Sequence, residues 1–288
     1  AMDFDTWIGR AWDAHGDDPA GVAATLLGEG LPLAGSDEDR VALARLARHV
    51  HGEHLGRWAE GRAALARIGD GVGAPAAATL RVLDASLVLA EGREDPRAAL
   101  GASDRVRATA MASSALGEHD TTRAAALLHE ALAEAEAAGL PDTDLAVRAL
   151  AITGNTLAAT LEEKPTRTEA ERELMILAAR IARQCWARAG TWLETERAEY
   201  RLAMTWIQAG DLAAARGHAQ DCLEIVRAND APALEHFYAW EALGCVERAA
   251  GNATGHAHAL AQARAAYARL DAADTGWCRP SLDALAAP

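Results

Sequence analysis

The stretch of sequence that decides the fold is YRLAMTWIQAGDLAAAR, residues 200–216. Its first half has apolar residues at helical spacing, Gly210 and Asp211 mark a turn, and its second half is rich in alanine. Variants of this phrase recur at residues 48–58, 112–118 and 242–252. A helical hairpin that recurs along a chain buries its apolar face against its neighbours, so the pattern predicts a solenoid of stacked helix pairs.

Glycines mark the predicted hairpin turns, at Gly56, Gly117, Gly210 and Gly251. The last two lie 41 residues apart (251 − 210), and the middle two lie 93 apart (210 − 117). The longer interval has room for two units with one unmarked turn. We place that turn in the polar stretch 161–168, where it is followed by a long helix.

A compressed unit lies between two of these turns. Residues 76–91 predict one helix, and Asp95-Pro96 starts a shorter one. The count is roughly seven helix pairs. We treat the chain as a single domain over 1–288, with an N-terminal helix pair at 1–36, repeats at 37–270 and a C-terminal cap at 271–288.

The composition favours closely packed helices. Half of the 288 residues are hydrophobic, but only 5% are aromatic. The core is therefore built from alanine and leucine, and alanine lets helices approach one another closely. Because alternating strand patterns are nearly absent, the fold class is predicted to be all-α.

The repeat resembles the tetratricopeptide repeat family. In that family a small residue on the first helix is followed by the turn glycine, and then by two small residues on the second helix. Ala203, Gly210, Ala215 and Cys222 stand at these positions, whereas the last unit has His256 where a small residue is expected. The resemblance implies a right-handed superhelix of antiparallel helix pairs. Units longer than the usual repeat look like those of bacterial peptide-sensing and ATPase-coupled regulators.

The resemblance also implies a concave groove lined by the first helix of each pair. Counting back from each turn glycine gives candidate groove residues, which are Arg148, Asn155, Arg197, Tyr200, Arg201, Met204, Gln208, Tyr238, Glu241 and Arg248. The phrase ITGNT, residues 152–156, matches a family phrase whose asparagine bonds the backbone of an extended peptide. An amide can satisfy a peptide N–H and C=O together. The alternative is that Asn155 is an ordinary polar residue on a helix face.

Three of the four arginines in this set fall at regular positions. Arg148 and Arg197 fall at matching places of successive predicted units, and Arg201 follows one turn after Arg197. They predict a cationic strip that grips carboxylates. The alternative is that they pair with acidic residues three or four positions away on the same helix. Those candidates are Glu194, Glu196 and Glu199.

Charge and cysteine usage bear on the partners and the compartment. A formal net charge of −14 argues against binding to nucleic acid or to an anionic membrane. No apolar run is long enough to span a bilayer, and no signal-peptide pattern is seen. The cysteines form no C-x-x-C pair and are expected to be reduced; they are Cys185, Cys222, Cys245 and Cys278. We therefore expect a cytoplasmic protein.

A histidine cluster is the strongest candidate for a metal site in the sequence, since His256 and His258 lie two positions apart and face different directions on a helix. His49, His51 and His54 lie near Glu53, but a zinc site needs further ligands from another element, and none is evident nearby. We therefore expect no metal and no cofactor. Phosphate-binding loops, dinucleotide-binding glycine motifs and nucleophile elbows are absent from the sequence, so an enzyme is not expected.

The leading functional hypothesis is an interaction module that binds a protein or peptide segment in its groove. One alternative is the ligand-sensing fragment of a bacterial signalling or transcription regulator. Another is a self-assembling module, a homodimer through terminal helices that carry Trp7, Trp12 and Trp277.

Overall fold

Alanine-rich, capped segments make the chain all-α, as predicted. A computed structural model describes residues 2–287, and no strand occurs in that range. Contacts divide the chain into two compact units, Ala1–Thr153 and Gly154–Pro288, and the boundary falls inside one continuous helix, Leu145–Glu162. That the chain behaves as a single domain stays a prediction.

Unit 1 is built from consecutive helices. They are α1 (Phe4–Ala14), α2 (Pro19–Thr25), α3 (Leu31–Leu33), α4 (Asp37–Arg48), α5 (Trp58–Ile68), α6 (Ala74–Glu91), α7 (Ala102–Leu116), α8 (Thr121–Ala137) and the first half of α9 (Leu145–Glu162). Two π-helical stretches, Leu26–Gly30 and His49–His54, continue α2 and α4, and a 3₁₀ turn covers Pro96–Ala99. Helices that follow one another in sequence pack together, as α4 with α5, α6 with α7 and α7 with α8.

Unit 2 repeats the same arrangement. After the second half of α9 come α10 (Glu169–Ala189), α11 (Trp192–Ala209), α12 (Leu212–Ala228), α13 (Ala233–Ala249), α14 (Ala253–Tyr267) and α15 (Ala272–Ala286). Each helix from α10 to α14 packs against the next, and α15 packs against α13 and α14. α11 also contacts α13, so first helices of successive pairs are neighbours. This packing is compatible with a helical repeat.

Polar side chains fix where the helices begin. Asp18 caps α2, whose first residue is Pro19, and Ser36 with Asp39 forms a capping box at α4. Thr168 with Glu171 and Thr191 with Glu194 do the same at α10 and α11. Because these signals are local, each of these helices begins directly after its capping residue.

The helices also turn at the glycines where the sequence predicts turns. Gly56, Gly210 and Gly251 have positive φ, and Gly117 ends α7 in the right-handed helical region. Gly210 has φ 85°, a left-handed conformation that side chains with a Cβ rarely adopt. The unmarked turn is confirmed as well, since α9 ends at Glu162 and α10 begins at Glu169.

Each unit has its own apolar core. In unit 1 Trp7 packs with Leu26, Leu43 and Leu46. Trp7 is only 6% exposed, so the expectation that it lies on a surface for self-association is wrong. In unit 2 Phe237 packs with small side chains of α14 and leucines of α15.

The four cysteines are reduced, as expected. Among the residues that the structure describes, no helix combines the length and the apolar character needed to cross a membrane.

Candidate binding face and candidate metal centre

The predicted groove residues lie on the first helices of the helix pairs. α9 carries Arg148, which belongs to unit 1, and Asn155, which belongs to unit 2. α11 carries Arg197, Tyr200, Arg201, Met204 and Gln208, and α13 carries Tyr238, Glu241 and Arg248. Arg148 is exposed on α9. The second half of α9, with α11 and α13, forms the candidate binding face of unit 2.

Arg201 links α9 to α11 through a buried carboxylate. Its Nη1 pairs with Oε2 of Glu162, and the hydroxyl of Thr205 donates to Oε1 of Glu162 at 2.5 Å. Burial raises the pKa of Glu162, although the charge of Arg201 opposes that shift. Nε of Arg201 also donates to Oδ1 of Asn155 over 3.4 Å, which is long for a hydrogen bond. The amide of Asn155 is therefore only weakly engaged within the protein.

Arg197 links α11 to α13 in the same way. Its Nη2 donates to Oε1 of Glu235 at 2.6 Å, and its Nε donates to Oε2 at 3.3 Å. The Glu235 carboxylate is buried, whereas the side chain of Arg197 is 58% exposed. The guanidinium is thus held in one orientation while much of it stays accessible to solvent.

Behind this pair lies a second buried carboxyl group. Glu196 is 0% exposed, and its Oε1 accepts a hydrogen bond from the Cys222 thiol at 2.8 Å. Burial raises the pKa of Glu196, and the neighbouring carboxylate of Glu235 raises it further. Burial and Glu196 in turn raise the pKa of Cys222. Its thiol therefore stays protonated and is a poor nucleophile.

The remaining predicted residues also have partners within unit 2. The Tyr200 hydroxyl donates to Oε2 of Glu241 at 2.8 Å, and the rings of Tyr200 and Tyr238 meet edge to face with centroids 5.7 Å apart. The Gln208 carboxamide accepts from Arg167, and Arg248 donates to the backbone carbonyl of Ala284 at 2.6 Å. Met204 is half-buried.

The observed partners of Arg197 and Arg201 agree with neither of the two expectations from the sequence. Both pair with carboxylates, so they do not form a strip of uncompensated charge. Their principal partners come from neighbouring helices, which corrects the alternative that assigned same-helix glutamates. Those glutamates have other partners: Glu194 caps α11, Glu196 accepts from Cys222, and Glu199 pairs with Arg183 and His218.

In unit 1 three histidines form a compact cluster, the histidine triad His15, His49 and His54. The ring centroids are 5.0 Å apart for His15 and His49, 5.1 Å for His15 and His54, and 4.9 Å for His49 and His54. Nε2 of His49 lies 3.2 Å from Nε2 of His54. Burial lowers the pKa of His54, and the nearby His49 and His15 lower it further, so its ring is held neutral.

The histidine cluster expected from the sequence is therefore wrong in one residue, His51. His51 is buried elsewhere, and its Nδ1 has no hydrogen-bond partner among the described residues. His15, at the end of α1, takes its place, and no pattern in the sequence connects it with His49.

Comparison of the chain with protein-family models, with curated proteins and with solved structures found no match. The geometry of the described residues is therefore what bears on function.

Proposed function

We propose that the chain is an interaction module that binds an extended segment of another protein on the candidate binding face of unit 2. The observation that carries this proposal is that three successive first helices bring polar groups of complementary kinds to that face. They carry a weakly engaged amide, three guanidinium groups and two phenols, with buried carboxylates that hold two of the guanidinium groups in place. The resemblance to the tetratricopeptide repeat supports the proposal, and the right-handed superhelix is part of it.

Pre-organisation is the physical reason to expect binding there. Glu235 holds Arg197 with two N–H···O bonds, so a ligand group that meets this guanidinium does not have to order a flexible side chain. Arginine donates in a planar fork that suits a carboxylate. We therefore expect the bound segment to present an acidic group to Arg197 and a backbone amide to Asn155.

The test is selection of peptides from a random library on the immobilised protein, followed by affinity measurements on purified variants. Asn155→Ala should weaken binding of the selected peptides by about 1–3 kcal/mol, because the peptide amide loses its partner. Arg197→Gln should weaken the binding of acidic peptides and reduce the salt dependence of their association rate. Melting temperature should change little for Asn155→Ala, since its bond to Arg201 is long.

Matched controls separate this face from the rest of unit 2. Asn229→Ala removes an exposed amide at the end of α12, and Arg264→Gln removes an exposed guanidinium on α14. Both should bind peptides as the wild type does. The proposal fails if no peptide is enriched, or if the two face variants bind as well as the two controls.

One observation favours a second candidate function. Trp277 on α15 is 77% exposed, which is unusual for so large an apolar side chain. Self-association through α15 would cover it. Light scattering of wild type and Trp277→Ser over a range of concentrations tests this, and a monomeric wild type at every concentration would exclude it.

A further inference from the structure

We propose that the histidine triad of unit 1, His15, His49 and His54, binds a divalent transition-metal ion, zinc in the first instance. The ion would bind through one ring nitrogen of each histidine and keep a fourth coordination position open. The expectation of no metal rested on the lack of a ligand from a second element. His15 on α1 is that ligand.

The spacing of the ring nitrogens suits zinc. Two nitrogens bound tetrahedrally at about 2.0–2.1 Å from zinc are about 3.3 Å from each other. The Nε2 atoms of His49 and His54 are 3.2 Å apart, and one ligand nitrogen from each of the three rings can be chosen so that all lie within 4.8 Å of one another. From an upper limit of 4.8 Å, the ligand nitrogen of His15 would have to move about 1.5 Å toward the other two.

The outer hydrogen bonds direct the right nitrogens inward. Nδ1 of His49 meets a carboxylate oxygen of Glu53 at 2.5 Å, and Nδ1 of His15 meets the backbone carbonyl of Trp12. Both partners are acceptors, so in the neutral ring the proton sits on Nδ1 and Nε2 keeps the lone pair that a metal needs. Histidines that bind metals usually donate their second nitrogen to a carboxylate or a carbonyl in this way.

Glu53 is itself held in place. Nη1 of Arg48 pairs with its Oε1 at 2.9 Å, while Oε2 faces His49. Held in this way by Arg48, the carboxylate fixes the ring of His49 through the contact of its Oε2 with Nδ1.

The backbone brings the last two ligands together. In an α-helix, side chains five positions apart point about 140° away from each other. His49–His54 is π-helical, with the Leu55 N–H bonded to the Val50 carbonyl, five residues back. This geometry stacks His49 and His54 on one side of the turn. Short π segments inside helices are frequent at functional sites.

The donor set decides the class of metal. Three imidazoles suit zinc, copper, nickel or cobalt, whereas magnesium and calcium require oxygen ligands. The triad side chains are half-buried, so solvent reaches the site, and a water molecule would fill the fourth position. A second group of possible metal ligands among the described residues is Glu199, His218 and Asp221. It is less suitable for a metal ion, because Arg183 already pairs with the carboxylate of Glu199.

The experiment is calorimetric titration of chelator-treated protein with zinc chloride, together with the absorption spectrum after cobalt(II) is added. Wild type should bind one zinc ion per chain and give the intense visible bands of tetrahedral cobalt. Single replacements His15→Ala, His49→Ala and His54→Ala should each lower the zinc affinity by more than about tenfold, a loss seen even when only an outer hydrogen-bond partner is removed.

A matched control excludes binding to scattered surface histidines. His129→Ala removes an exposed histidine on α8 of the same unit and should leave the affinity unchanged. Zinc should raise the melting temperature of wild type and of His129→Ala, but not that of His15→Ala. His15 lies at the end of α1, so its replacement should leave the fold intact, which the melting curve without metal checks.

Two results would overturn the proposal. The first is a wild type that binds no zinc at micromolar concentration and shows only the spectrum of aqueous cobalt. The second is a folded His15→Ala variant whose zinc affinity equals that of wild type.

Discussion

At the residue scale, unit 2 is marked by carboxyl groups buried between first helices. Glu196, Glu235 and Glu241 are nearly inaccessible to solvent. Each has a hydrogen-bonding or ionic partner: the Cys222 thiol for Glu196, Arg197 for Glu235 and Tyr200 for Glu241. Burying an ionised group without such partners costs several kcal/mol. The contacts of Glu235 and Glu241 therefore make the packing of α11 on α13 specific, and that of Glu196 joins α11 to α12. Buried carboxyl groups also couple stability to pH.

Glu196→Gln should flatten the pH dependence of stability. The folded-state pKa of Glu196 is raised by burial, so the folded protein binds a proton that the unfolded chain releases at about 4.3. The stability from this group is present below that pH and is lost as pH rises through the folded-state pKa. Glutamine resembles the protonated acid and does not titrate. Urea unfolding from pH 4 to pH 9 should show a smaller loss of stability for the variant.

The control for this prediction is Glu224→Gln on the exposed side of α12. The free energy of unfolding of this variant should change with pH as that of wild type does. If that of Glu196→Gln does the same, Glu196 is ionised at little cost in the folded protein and its assignment as a protonated group is wrong.

The partners of these residues could not be read from the sequence. Helical spacing reveals only neighbours on the same helix, which is why Glu194, Glu196 and Glu199 were considered for the arginines. Arg197 instead meets Glu235, and Arg201 meets Glu162, each across a helix–helix contact. The choice among several acidic residues depends on the rotation of one helix against another, which composition does not determine.

At the scale of elements, close approach of helices depends on residues without a side chain. Gly154 on α9 faces α10, and a Cβ there would lie 2.4 Å from the backbone oxygen of Ala178 and 2.9 Å from the backbone nitrogen of Ala182. Backbone atoms cannot move aside as a flexible side chain can. α9 and α10 therefore depend on a glycine at this position for their present separation.

Gly154→Ala should destabilise the protein by about 1–3 kcal/mol, the usual cost of overpacking. The same change normally stabilises a helix interior by about 0.5–1 kcal/mol. Gly217→Ala on α12 provides the comparison, because nothing lies within 4 Å of its added Cβ. Urea unfolding should give opposite signs for the two variants. If Gly154→Ala stabilised the protein as Gly217→Ala does, α9 and α10 would be able to move apart at no cost in free energy.

The elements themselves were largely predictable. Caps, prolines and turn glycines act within a few residues, so the helices on either side of Gly210 and the helix predicted at 76–91 follow from the sequence, whereas the short helix predicted after Asp95-Pro96 is a single 3₁₀ turn. The π stretch at 49–54 was not predictable, because no known residue pattern in HVHGEH marks a π turn. The histidine triad was missed for that reason and because His15 is distant in sequence.

At the scale of the whole molecule, the four thiols are protected by the packing of the helices. Cys185, Cys222 and Cys278 are buried, and Cys245 is half-buried. Burial and the nearby Glu241 raise the pKa of Cys245 to about 12. Since the thiolate is the reactive form, the folded chain should be slow to react.

Titration with a thiol reagent at pH 8 should therefore find four reactive groups in the unfolded, unreduced protein and only slow reaction in the folded protein. The unfolded sample is the control for reagent and counting. Fewer than four groups after unfolding would reveal a disulfide, and rapid reaction in the folded state would mean that the helices open readily.

The position of the triad side chains depends on the number of residues in the π-helical stretch as well as on their identity. A π turn holds one residue more than an α turn, so loss of a single residue between His49 and His54 lets α4 continue as a regular helix. The core leucines of α4 before that point would keep their places. His49 and His54 would then stand four positions apart and Glu53 three positions after His49, so the spacing of the ring nitrogens and of the carboxylate would change. A deletion of one codon would change the chemistry of this corner of unit 1 while the helix that carries it persisted.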